Sequence, residues 1–66
     1  MYAHYAKIRD SKNLNDYRVA KLANVPRSCI YDWKYGYYTP KIDKLIKIAK
    51  ALDVPVEELL SNDDDD

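Results

Sequence analysis

Between Asn24 and Gly36 the chain reads NVPRSCIYDWKYG, and its polar and apolar side chains separate by position. Ile30 and Trp33 stand three apart, the spacing of a buried helix face, which leaves Arg27, Ser28, Tyr31 and Asp32 pointing elsewhere. A guanidinium, a hydroxyl, a phenol and a carboxylate on one open face make a hydrogen-bonding surface. They do not make a reaction centre: no paired carboxylates, no nucleophile beside a base and no metal-ligand spacing occur in the chain. Cys29, the one cysteine, has no base beside it and is expected to be half buried and inert. One Cys and one His, His4, supply neither a zinc set nor an internal disulfide, so the fold must be held by packing alone. The expectation is a binding protein, not an enzyme, with no cofactor and no metal.

The net charge of zero conceals a segregation. Residues 1–50 carry all eleven Lys and Arg against four acids (Asp10, Asp16, Asp32 and Asp43), an excess of seven positive charges, whereas residues 51–66 carry seven acids and no base. A cationic body suits an anionic partner, with nucleic acid first among the candidates. No apolar run approaches a membrane span and the start MYAHYAKIRD lacks an apolar signal core, which points to a cytoplasmic protein with no membrane partner. A reducing compartment also fits the single thiol.

The elements that must position these residues are helices. Tyr2, Tyr5, Ile8 and Arg9 give a first helix that stops near Asn13, after which Leu14 turns inward. Asn15 is suited to cap a second helix with Asp16 in its first turn and Val19, Ala20 and Ala23 buried. Asn24 can adopt positive φ and reverse the chain, Val25 plugs the corner and Pro26 begins a third helix that runs to about Tyr35. Gly36 ends it, and Tyr37-Tyr38-Thr39-Pro40 forms a loop. A fourth helix is expected to bury Ile42, Leu45, Ile46, Ala49 and Leu52, with Asp53 at its end, and a short fifth carries Val56, Leu59 and Leu60. SNDDDD, residues 61–66, has nothing to bury and is expected to be a disordered acidic tail on a domain of residues 1–60.

The centre of this pattern is two short helices joined by a tight turn. Ala20 has a mechanical purpose there: helices that cross near a right angle need close backbones, and a larger side chain would hold them apart. The third helix is thereby propped outward, and a DNA major groove about 12 Å wide accepts such a helix.

From Tyr2 to about Leu60 the chain resembles the Cro and phage-repressor (XRE-like) helix-turn-helix family. The resemblance is carried by L-N-D-Y-R-V-A-K-L-A-N-V-P-R-S-C-I-Y-D-W-K-Y-G-Y-Y-T-P, Leu14 to Pro40 without a gap, and by the closing A-K-A-L-D-V-P-V-E-E-L-L. It implies an all-α, compact four- to five-helix lambda-repressor-like domain that contains a helix-turn-helix and binds double-stranded operator DNA to regulate transcription. Where the family usually has glycine this chain has Asn13, Asn24 and Asp53, the non-glycine residues that best tolerate positive φ. Asp16 replaces the glutamine that usually opens the second helix and touches a phosphate, so that contact passes to Asn15 or Tyr17. Lys34 replaces the glutamate that usually pairs with the first-helix arginine, here Arg9, which leaves Asp10 as substitute partner or Lys34 released to a phosphate.

The resemblance implies base reading by Arg27, Ser28, Tyr31 and Asp32. Arg27 suits guanine O6 and N7 or a phosphate, Ser28 either role of a hydroxyl, and Tyr31 a thymine methyl, a phosphate or plain surface cover. Asp32 suits cytosine N4 or the orientation of a neighbouring donor. Backbone contacts are expected from Asn15, Tyr17, Arg18, Lys34, Tyr37, Tyr38, Thr39 and Lys41, while Lys44, Lys47 and Lys50 form a solvated face. One short helix reads few base pairs, so a homodimer is expected, through Val56, Leu59 and Leu60 by family analogy unless those residues belong to the monomer's own core. The alternative function is a protein-interaction module on the same fold, such as an antitoxin or anti-repressor.

Overall fold

The computed structural model describes residues 2–60; the expected tail lies outside the described residues. Five helices follow one another: α1 (Tyr2–Ser11), α2 (Asp16–Ala23), α3 (Arg27–Lys34), α4 (Ile42–Leu52) and α5 (Val56–Leu60), with no strand among the described residues.

One stop signal recurs four times. In α1, α2 and α4 a residue at φ near 60° (Asn13, Asn24, Asp53) follows the helix, and the next amide reaches back across the last turn: Leu14 N–H to the Arg9 carbonyl at 3.2 Å, Val25 to Ala20 at 3.1 Å and Val54 to Ala49 at 3.0 Å. These are Schellman motifs, which satisfy carbonyls that a helix end leaves open. α3 ends the same way with Gly36 at φ 81° and Tyr37 N–H donating to the Asp32 carbonyl at 2.8 Å. A Cβ on Gly36 would meet open space, so only the positive φ calls for glycine there. In the first three stops the residue after the turn, Leu14, Val25 or Val54, packs on the core; Tyr37 instead stays 79 % exposed.

Starts are built differently. The Asn15 side chain accepts from Arg18 N–H at 2.8 Å and caps α2, as its type predicts. α3 and α4 have Pro26 and Lys41 at their caps with no side-chain bond, so Pro26 sits one position before the helix instead of opening it.

The core gathers Tyr5, Val19, Ala20, Ala23, Val25, Ile30, Trp33, Leu45, Ile48, Ala49, Leu52 and Leu59. Three expectations need correction. On α4 the buried stripe is Leu45, Ile48, Ala49 and Leu52, while Ile42 and Ile46 are 53 % and 43 % exposed. Isoleucines at 42, 46 and 48 make that helix apolar over more than one face, and packing against α2 and α5 selects the face that carries Ile48. Cys29 is buried, not half buried, and burial pushes its thiol pKa up against the opposing pull of Lys44 and Tyr38. Leu59 is a core residue at 1 % exposure, so it cannot also supply a dimer surface; of the three residues named for that role only Leu60 is exposed, with Val56 partly buried. Among the described residues no helix is long and apolar enough to cross a membrane.

Candidate nucleic-acid interface

α3 divides its side chains cleanly. Cys29, Ile30 and Trp33 are buried, and the Trp33 ring lies 5.1 Å from Tyr5 and 5.7 Å from Tyr2, so aromatic contacts from α1 fix the helix to the core. Arg27, Ser28 and Tyr31 are exposed and line one open depression. The fourth expected base reader, Asp32, is partly buried and does not join that depression; its carbonyl receives Tyr37 N–H.

The helical repeat from Arg27 continues through Tyr31 to Tyr35, four residues apart each time, and the Tyr31 and Tyr35 rings stand 4.8 Å apart. Lys34 is exposed with its ammonium 5.5 Å from the Tyr35 ring centroid. Across the turn, the Tyr17 ring has the Arg27 guanidinium at 5.5 Å and the Lys21 ammonium at 5.7 Å. Tyr35 and Lys21 were absent from the expected set. Each was findable as the i+4 neighbour of a residue already in it, Tyr31 and Tyr17.

Two groups flank α3. Asn15, Tyr17 and Arg18 open α2, all exposed, with the Asn15 oxygen engaged in its cap and its amide nitrogen left to donate. On the other side Tyr37, Tyr38, Thr39 and Lys41 are exposed along the loop and at the cap of α4. Lys47 and Lys50 are exposed, whereas Lys44 is partly covered and close enough to Cys29 to act on its thiol.

Behind this face lies a polar clamp that fixes where α2 begins. Asp16 accepts from Tyr2 Oη at 2.7 Å, Tyr5 Oη at 2.8 Å and Arg9 Nη1 at 2.7 Å. Arg9 also donates to Asp10 at 2.8 Å and to Tyr2 Oη at 2.9 Å. The substitute partner of Arg9 is therefore shared: exposed Asp10, as expected, and Asp16, which was assigned only to the helix dipole. Burial raises the Asp16 pKa, but the three donated hydrogen bonds and the Arg9 charge outweigh it and hold the carboxyl below its usual range. Tyr5 is pushed far upward, first by burial and then by Asp16. His4 Nε2 donates to the Glu58 carbonyl at 2.5 Å, tying α1 to α5.

No curated protein and no solved structure matches the chain significantly. A helix-turn-helix family model matches residues 6–59, which takes in all of α2, α3 and α4, the second half of α1 and all but the last residue of α5, with the tight α2–α3 turn and outward α3 just described inside it. The chain belongs to the XRE-type, Cro- and repressor-like helix-turn-helix family of DNA-binding regulators.

Proposed function

We propose that this chain is a sequence-specific regulator of the phage-repressor and Cro type that lays α3 in the major groove of an operator duplex. The observation that carries the reading is the division of α3, buried through Cys29, Ile30 and Trp33 and open at Arg27, Ser28 and Tyr31. A helix anchored on one side and polar on the other presents side chains to base edges without unfolding anything.

Arg27 donates in pairs to guanine O6 and N7, Ser28 bonds a neighbouring edge, and Tyr31, steadied by Tyr35, packs on a thymine methyl. Asp32, set to the side, orients a neighbouring donor. Asn15, Tyr17 and Arg18 on one flank and Lys34, Tyr37, Tyr38, Thr39 and Lys41 on the other hold the phosphates. Tyr37 supports this role: it alone follows a helix stop without packing on the core. Two copies pair so that their α3 helices lie one duplex turn, about 34 Å, apart.

Duplexes selected by the protein from a random pool supply the operator for the test. Arg27→Ala should weaken binding to that operator by about 1–3 kcal/mol more than to random duplex. Equal loss on both would make Arg27 a phosphate contact and withdraw base reading from it.

A further inference from the structure

The sequence leaves Tyr17 with a phosphate to hold through its hydroxyl; its ring is used differently. Among the described residues Arg27 has no carboxylate partner, in contrast to Arg9, whose donors are taken by Asp10, Asp16 and Tyr2. Its contact is the face of Tyr17, on the other helix of the motif. The two side chains line an open cleft together with Lys21 and the buried Ala20 and Val25, one on α2 and the other in the α2–α3 turn.

The choice of partner matters chemically. A carboxylate engages the in-plane N–H groups of a guanidinium, the same groups that a guanine would need. An aromatic ring engages the flat face and leaves the N–H edge unspent. Arg27 also begins a helix, where the dipole disfavours a cation, so a neutral π-face restrains it without adding a competing acceptor. We infer that Tyr17 is a positioning residue that sets sequence specificity: its ring holds the Arg27 guanidinium across the α2–α3 turn with the donor edge free for a base. Lys21 stands near the same ring, its ammonium 5.7 Å from the centroid.

The inference rests on Arg27 reading a base, so the test separates the two. Affinities of wild type, Tyr17→Ala, Tyr17→Phe, Arg27→Ala and the Tyr17→Ala/Arg27→Ala double variant are measured on the selected operator and on random duplex, with thermal melts to confirm folding. Tyr17→Ala should lower the operator-to-random ratio roughly two- to fivefold, the size of an exposed cation–π contact. Tyr17→Phe should keep the ratio, and in the Arg27→Ala background Tyr17→Ala should change it no further. Equal loss for Ala and Phe on both duplexes would overturn the inference and return Tyr17 to a phosphate, with base reading by Arg27 intact. An unchanged ratio for Arg27→Ala alone would overturn the base-reading proposal, and the inference with it.

Discussion

Asp16→Asn is the most informative single change, because it keeps the shape of the clamp and alters only its charge and one acceptor. In the folded chain the carboxylate takes three donors at 2.7–2.8 Å, and its side chain is 25 % exposed. An asparagine offers one acceptor oxygen, and its amide hydrogens then face a donor that has lost its partner. A hydrogen bond to a charged group is worth roughly 1.5–3 kcal/mol, and a stranded buried donor costs a similar amount. Arg9 keeps Asp10, so its charge is not left alone, which limits the loss to about 2–3 kcal/mol. On a domain of this size each kcal/mol moves the midpoint by about 4–8 °C, so Tm should fall by roughly 10–20 °C. Urea titration followed by Trp33 fluorescence and by far-ultraviolet circular dichroism should show a lower midpoint with an unchanged slope. Asp10→Asn is the control: that carboxylate is 68 % exposed and its removal should cost no more than about 0.5 kcal/mol. If the two variants melt together, Asp16 is no more than a surface acid near a helix start and the clamp contributes nothing.

The same clamp sets the pH response. Asp16 has a lowered folded pKa, so its stabilisation is full above the unfolded carboxylate value of about 4 and disappears as acid protonates it; Tyr5, with a raised folded pKa, stabilises fully below about pH 10 and progressively less above. Tm should therefore fall at both ends, and Tyr5→Phe should shrink the alkaline fall while lowering the plateau. Asn24→Ala places a Cβ residue without a local hydrogen-bonding side chain at φ 58° and should cost about 1–2 kcal/mol in urea titration, whereas Asn24→Gly should cost none. Lys41→Ala should weaken operator and random duplex alike and reduce the slope of log affinity against log salt by about one; loss confined to the operator would give Lys41 a base to read.

The backbone was more legible in the sequence than the polar contacts. Asn13, Asn24 and Asp53 could be placed at positive φ from residue type alone, since few side chains tolerate that conformation, and Asn15 announced its cap in the same way. Helix faces were readable where a single stripe is apolar, as on α2, and ambiguous on α4, where packing chose Ile48 over Ile42 and Ile46. The Asp16 clamp was hidden because its four members come from two helices and meet only once α1 and α2 have packed; no periodicity joins Tyr2 to Asp16. Exposed contacts such as Tyr31–Tyr35 were readable in principle from spacing, but Tyr17–Arg27 required the turn.

Asp16 and Lys34 are two departures with one cause. With a lysine after Trp33, Arg9 must find its carboxylate elsewhere, and the first residue of α2 provides it at 2.7 Å. A carboxylate at the start of a helix proposed to lie beside a duplex would repel phosphate, yet here Arg9 offsets its charge and two tyrosine hydroxyls also donate to it. The acid is thus consumed inward, and the outward side of α2 is left to Tyr17, Arg18 and Lys21. Lys34, with no carboxylate partner among the described residues, adds its charge at the C-terminal end of α3, its ammonium 5.5 Å from the Tyr35 ring centroid. The exchange places the carboxylate that pairs with Arg9 at the start of α2 instead of the end of α3 and puts a lysine on the exposed part of α3, with no buried side-chain nitrogen or oxygen left without a partner among the described residues.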